Sequence, residues 1–486
     1  MNPFFTLNKS YINGAFVSGE GQSDFSNLNP FTDEIITTIR IASKEQTERA
    51  IEGAKIAQQE WAKLPRTRKK VMKNAYKLFN KNKNDIIDCL IKETGSTFIK
   101  AEVEFRMSMM ILKESIKMVD NIGFVEEKAG LIPTKTNKIY RKPKGVISSI
   151  SPFNFPFHLS MRTIAPALAL GNTVVHKPDI QTGIVSGSVF AKIFHDAGLP
   201  SGVFQSILTK PSEIGDMLVE HEAVNLVSFT GSTEVGRHIG KIAGNQLKQA
   251  ALELGGNSPF VVLKDADMKT AVRAAVMGTF FHQGQVCMSV NRIIVHADLY
   301  NQFVKQFVKA TKRVKSGDPE KKRTLVGPII NKTQLDKTKT LIEKAKAAGT
   351  MALEGEQQGN VITPYIFTDI SNDSEIAQTE LFSPIALVIK AQSDNEALQM
   401  ASDTKYGLSG SIITKNVTRG EKFAVEMASG MTHVNEMPVL DMPNIPFGGV
   451  KNSGIGRFGN PYVMDEFTEL KWVSVQKKSL PYNWFS

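Results

Sequence analysis

From residue 145 to residue 254 the chain keeps one rhythm. Short runs of β-branched and apolar residues alternate with stretches of helical spacing. The runs 146–150, 173–176, 203–207, 225–229 and 249–252 read as strands. The stretches 158–170, 184–197, 212–219 and 234–243 between them read as helices. Strands joined through helices of this length pair in parallel, with the crossovers covering both faces of the sheet. The expected fold is therefore α/β with a Rossmann-type parallel sheet. Such a sheet takes ligands beyond the carboxyl ends of its strands, so residues that follow strands carry the functional reading.

A second α/β block begins near Ser258. It has strands at 260–263, 292–295 and 385–390, and helices near 266–279, 298–315 and 332–348. Ahead of both blocks, a short β region leads into helices. Ser43 and Gln46 form a capping-box pattern before a helix with Ala50, Ala54, Ala57 and Trp61 on one face, which Pro65 ends. The next helices carry Val71, Ala75 and Leu78, then Ile86, Cys89 and Leu90, which makes Cys89 a core residue. The strand 470–476 has little around it to pack on, and a dangling strand commonly completes another subunit's sheet.

At 486 residues, with 41% hydrophobic and 22% charged, the chain has material for two or three domains. Two cysteines exclude a disulfide framework and a multi-cysteine metal cluster, and the scattered histidines suggest no metal site. The amino terminus lacks the look of a signal peptide and no run approaches a membrane span, so a cytoplasmic protein is expected. The 59 basic and 48 acidic residues leave a net charge of +11. The basic clusters at 66–70 and 309–323 lack interleaved aromatics, which favours solvated helix faces over a nucleic-acid groove.

Four segments stand out. In 151–157 two prolines enclose Asn154 and keep its amide out of regular structure, which suits a preorganised oxyanion donor and, on this motif alone, still better a structural turn asparagine. Lys177 and Pro178 follow the strand 173–176, where an ammonium can reach ribose or phosphate but equally can be an ordinary surface lysine. Thr230, Gly231 and Ser232 run from a strand into a helix start, a place that suits phosphate but equally an ordinary cap. Lastly Glu253 ends a strand beside Gly255 and Gly256, and 34 residues after Glu253 Cys287 closes a polar, non-periodic stretch. A thiolate is an effective nucleophile toward a carbonyl carbon, and a free carboxylate can act as base. His282 is the weaker candidate for a base.

These motifs, with Glu380-Leu381-Phe382-Ser383-Pro384 and the segment 446–454, resemble the aldehyde dehydrogenase superfamily in order and over nearly the whole chain. The stretch 165–182 looks most like the benzaldehyde dehydrogenase branch. The resemblance implies an NAD(P)-binding domain over 1–125 and 145–254, a catalytic domain over 255–435, and an oligomerisation arm and C-terminal segment over 126–144 and 436–486. It implies a homodimer or homotetramer acting on a small aldehyde, with no nucleic-acid or membrane partner. It makes Cys287 the nucleophile, Asn154 the oxyanion donor and Glu253 the base that hydrolyses a thioester. Pro152, Lys177, Gly231, Ser232, Glu380 and Phe382 would hold the cofactor.

One position departs from the pattern. NAD-specific members often carry a glutamate three residues after the lysine, and here that residue is Ile180. Isoleucine neither bonds a 2′-hydroxyl nor repels a 2′-phosphate, so use of both NAD and NADP is expected. The presence of Glu253 favours a free acid over a coenzyme A ester as product. Phe155, Phe157, Val286 and Phe447 are candidates for an apolar tunnel suited to a benzaldehyde-like ring, or for ordinary packing. Two other classes compete: a cysteine esterase working without nicotinamide, and a basic, non-catalytic polyanion binder.

Overall fold

The computed structural model describes residues 2–132 and 134–480. Five parallel strands form the centre of the first sheet, in the spatial order Phe204–Ser206, Thr173–Pro178, Val146–Ser151, Val224–Thr230, Gln249–Glu253. The chain adds strands on one side of Val146–Ser151, then returns and adds on the other. Val146–Ser151 and Val224–Thr230 thus flank the point where strand order reverses, and their carboxyl ends open a crevice there. Short antiparallel strands close both edges. The helix Pro156–Ala169 behind this sheet is buried at every residue.

The second sheet has seven strands, from Thr350–Leu353 at one edge to Met431–Val434 at the other, with Val290–His296 and Ser258–Val262 near its centre. All its pairings are parallel except the one made by Thr350–Leu353. Apolar clusters pack on both of its faces. The architecture is α/β, as the alternation in the sequence implies.

Three local readings change. The stretch 212–219 is two short helices, Pro211–Ile214 and Met217–Glu220, because Gly215 breaks it with φ 56°. Arg68, within a cluster read as solvated, is 1% exposed, and its guanidinium donates to the carbonyls of Trp61, Ala62 and Ala169. The last strand, Thr468–Gln476, does not dangle: it pairs antiparallel along its whole length with Lys135–Pro143 of the same chain, which pairs in turn with Gly123–Ala129. The sheet so formed leaves Phe124, Leu470 and Trp472 exposed. Cys89 is fully buried in the core. No helix among the described residues is long and apolar enough to cross a membrane.

Phe157 is core rather than tunnel wall: it is fully buried, its ring against those of Phe79, Phe105 and Phe190. Phe157→Ala should destabilise the protein by about 3–5 kcal/mol, read as a lower urea midpoint.

Candidate active site

The residues 254–257 join the carboxyl end of Gln249–Glu253 to the amino end of Ser258–Val262. The site residues therefore do not all follow strands. Asn154, Lys177, Gly231 and Ser232 follow or end strands of the first sheet, whereas Cys287, Glu380 and Phe382 precede strands of the second. The two sets face each other across the joint.

Cys287 sits on a loop whose shape is imposed. After the helix Met268–Phe280, residues His282, Gln283 and Gly284 all take positive φ, at 53°, 54° and 72°. A Cβ on Gly284 would lie 2.2 Å from the Ser383 carbonyl oxygen, so only glycine fits there. The side chains of the glutamines hold the loop down. Gln283 donates to Pro328 O at 2.8 Å and accepts from Gly327 N at 2.9 Å, and Gln285 accepts from Ile330 N at 3.2 Å. Backbone strain of this kind persists only where surroundings over-determine it.

Asn154 is 4% exposed, and its Nδ2 donates to Gln285 O at 3.0 Å. An amide nitrogen has two hydrogens. The bond to Gln285 uses one and aims the other.

Two spaces meet at this thiol. Asn154, Leu159 and half-buried Cys287 line both. On one side lies a small chamber of about 140 Å³ that also holds Pro152, Gly231, Ser232, Glu380 and Phe382. Pro152, Phe153, Gly231 and Ser232 continue it into a cleft of about 320 Å³ with Lys177 and Asp179. On the other side is a cavity of about 510 Å³, walled by Phe155, Phe281, Val286, Phe447 and six methionines.

The cleft fits a dinucleotide. Lys177 is 8% exposed, yet the hydrogen bond of its ammonium group is one of 3.4 Å to Pro178 O. Ser232 caps the helix Thr233–Asn245 and lines the cleft, and a helix start is a place that suits phosphate. Glu380 is oriented by Gly256 N at 3.1 Å, and the Phe382 ring stands edge-on to that of Phe153. Ile180 does not line the cleft. It packs against the core, because it begins a 3-10 turn after the strand. Lys177 and Asp179, two residues apart on extended backbone, share the side that faces the cleft.

Glu253 is 3% exposed and walls neither cavity, and its Oε1 has no hydrogen-bond partner among the described residues. Burial pushes its carboxyl group up to about 8, with Arg162 and Arg457 opposing the rise. Burial pushes the Cys287 thiol up to about 12, again against Arg162. The Glu253 carboxylate is close enough to the thiol to add to its rise.

Arg162 escaped the sequence reading. It is 5% exposed, ion-paired with Asp441, and stacked on Phe447 at 3.8 Å; His158 Nε2 donates to the same Asp441 oxygen at 2.8 Å. Its signal was a lone charge inside an apolar helical run. His282, by contrast, is 1% exposed and packed on Phe155, away from both cavity walls.

A half-buried thiol thus stands where a cleft lined by Lys177, Gly231 and Ser232 meets an apolar cavity, an arrangement that can bring two ligands to one sulfur. Residues 16–473 match the model of the Aldehyde dehydrogenase family, and the chain belongs to that family. The Bacillus subtilis (strain 168) protein AldY is 53% identical over 481 residues, covering 99% of each chain. A vanillin dehydrogenase of Corynebacterium glutamicum is 43% identical over 474 residues, covering 96% of this chain and 98% of its own. The crystal structure of an NAD-dependent benzaldehyde dehydrogenase from Corynebacterium glutamicum superposes with a TM-score of 0.89 at 40% identity, covering 98% of each chain. The chain is thus an oxidoreductase of aldehydes, on the branch that holds benzaldehyde and vanillin dehydrogenases.

The joint supplies a test of this geometry. A Cβ on Gly256 would fall 2.2 Å from the Cys287 carbonyl oxygen. Gly256→Ala should fold, by circular dichroism, yet lose about 100-fold in aldehyde oxidation, the scale of a 1 Å misplacement.

Proposed function

We propose that this enzyme oxidises an aromatic, benzaldehyde-like aldehyde to its carboxylic acid, using NAD and a covalent thioester on Cys287. The observation that carries the reading is that Cys287 and Asn154 are walls of both spaces at once. Rings and thioethers around the larger cavity suit an aromatic guest.

The thiol of Cys287 gives up its proton to solvent, and the sulfur bonds to the carbonyl carbon. The carbonyl oxygen becomes an alkoxide, held by the free Asn154 Nδ2 hydrogen and the Cys287 N–H. A bound nicotinamide supplies the acceptor for the hydride that leaves this carbon. The side chain of Glu253, turned toward the thioester and free of its proton, then takes a proton from water. The resulting hydroxide displaces the sulfur, releasing the acid. Lys177 and Glu380 would hold the two riboses, Ser232 the pyrophosphate, and Phe382, Gly231 and Pro152 the nicotinamide end.

The carboxylate of Asp179 supports NAD over NADP, because it can accept from a 2′-hydroxyl and repels a 2′-phosphate. That narrows the dual use read from Ile180. The domain division over 1–125 with 145–254, 255–435, and 126–144 with 436–486 belongs to the same proposal. So does a homo-oligomer, dimer or tetramer, joined through the arm that exposes Trp472.

Cys287→Ala should reduce no NAD with benzaldehyde, and activity retained at the parental rate would overturn the mechanism. Glu253→Gln should keep the first burst of reduced cofactor while steady turnover falls. In the parent, turnover should climb with pH through about 8 as the Glu253 carboxylate forms, and the variant should lack that limb. For the cofactor, kcat/KM should favour NAD by about 100-fold, and Asp179→Ser should cut that preference about tenfold, or 1.4 kcal/mol. Equal rates with both cofactors in the parent would reject this role for Asp179.

A further inference from the structure

The helix Phe98–Met118 carries two fully buried charges one turn apart, Lys100 and Glu104, paired through Lys100 Nζ and Glu104 Oε2. Among the described residues, the other hydrogen bonds and the ring contact of these two charged groups fall on one short segment, 154–158. Lys100 Nζ donates to the backbone oxygen of Asn154 at 2.7 Å and lies 4.3 Å from the centre of the Phe155 ring. Glu104 Oε1 accepts from Phe157 N at 2.9 Å and His158 N at 3.1 Å.

Those two N–H groups open the helix Pro156–Ala169, which gets no cap from its own preceding residue, Phe155. A helix start buried without partners is costly, and here the partner comes from another helix. The pair therefore grips the segment on both sides of Pro156: the ammonium holds the backbone of Asn154, and the carboxylate holds the first turn beyond it. Ile99 and Val103, beside them on the same helix, line the cavity that ends at Cys287.

We propose that Lys100 and Glu104 are positioning residues for the oxyanion donor: they lock the backbone of Asn154 so that its second amide hydrogen stays aimed at the oxygen of the aldehyde bonded to Cys287. This rests on the reading of Asn154 given above. A donor contributes to catalysis in proportion to its preorganisation, so a tether two bonds from its Cα acts on rate without touching substrate.

The test is a double-mutant cycle on the pre-steady-state burst of NAD reduction with benzaldehyde. Lys100→Met/Glu104→Gln removes the buried charge pair and the tether, while the amide oxygen at 104 can still cap the helix. Its burst rate should fall at least about tenfold, with KM for benzaldehyde and Kd for NAD within about twofold. Built on Asn154→Ala, the same pair of changes should cost less than about twofold further, since there is no donor left to aim. An equal fall in both backgrounds, or none in the parent, overturns the proposal. If Asn154→Ala alone leaves the burst intact, the role of Asn154 fails instead. Should the pair not fold, Lys100→Gln/Glu104→Gln serves the same cycle with an uncharged, hydrogen-bonding replacement.

Discussion

Four residues carry the chain from one parallel sheet to the other, and the site depends on how little room they leave. At the two middle positions there is space for backbone alone: a side chain on Gly255 would meet the Glu380 carboxylate, and one on Gly256 the carbonyl of Cys287. This tightness brings the carboxyl ends of the first sheet against the amino ends of the second. Groups from both are then within reach of one sulfur. Glycine is demanded here by approach, since neither residue has positive φ.

Around that joint the protein keeps charges out of water, and each is paired or aimed. Arg162 is neutralised by Asp441 yet still opposes the rise of both the thiol and Glu253. Lys100 and Glu104 satisfy one another and spend their spare contacts on backbone. Lys177, with one weak partner, and Glu253, with an orphaned oxygen, are the exceptions. Incomplete pairing at these two, among so many satisfied neighbours, is what a ligand or a reacting water would complete.

The fold was legible because alternation and strand length are local properties, and so were the motifs around Asn154, Gly231, Glu253, Glu380 and Cys287. Long-range pairing was not. Nothing near Lys100 announces Asn154, and Arg162 meets Asp441 across 279 residues. Arg68 looked solvated for the same reason: its partners are carbonyls on other elements. Position 180 shows a subtler limit. The strand's two-residue period, carried one step past Pro178, would have pointed to Asp179 as the residue facing the cleft.

Cys287 and Asn154 stand as a partition with a chamber on each flank. Whatever sits beside Gly231 and Ser232 and whatever sits among the methionines reach the same sulfur from different sides. Both flanks can therefore be filled at once, with the sulfur between the two guests.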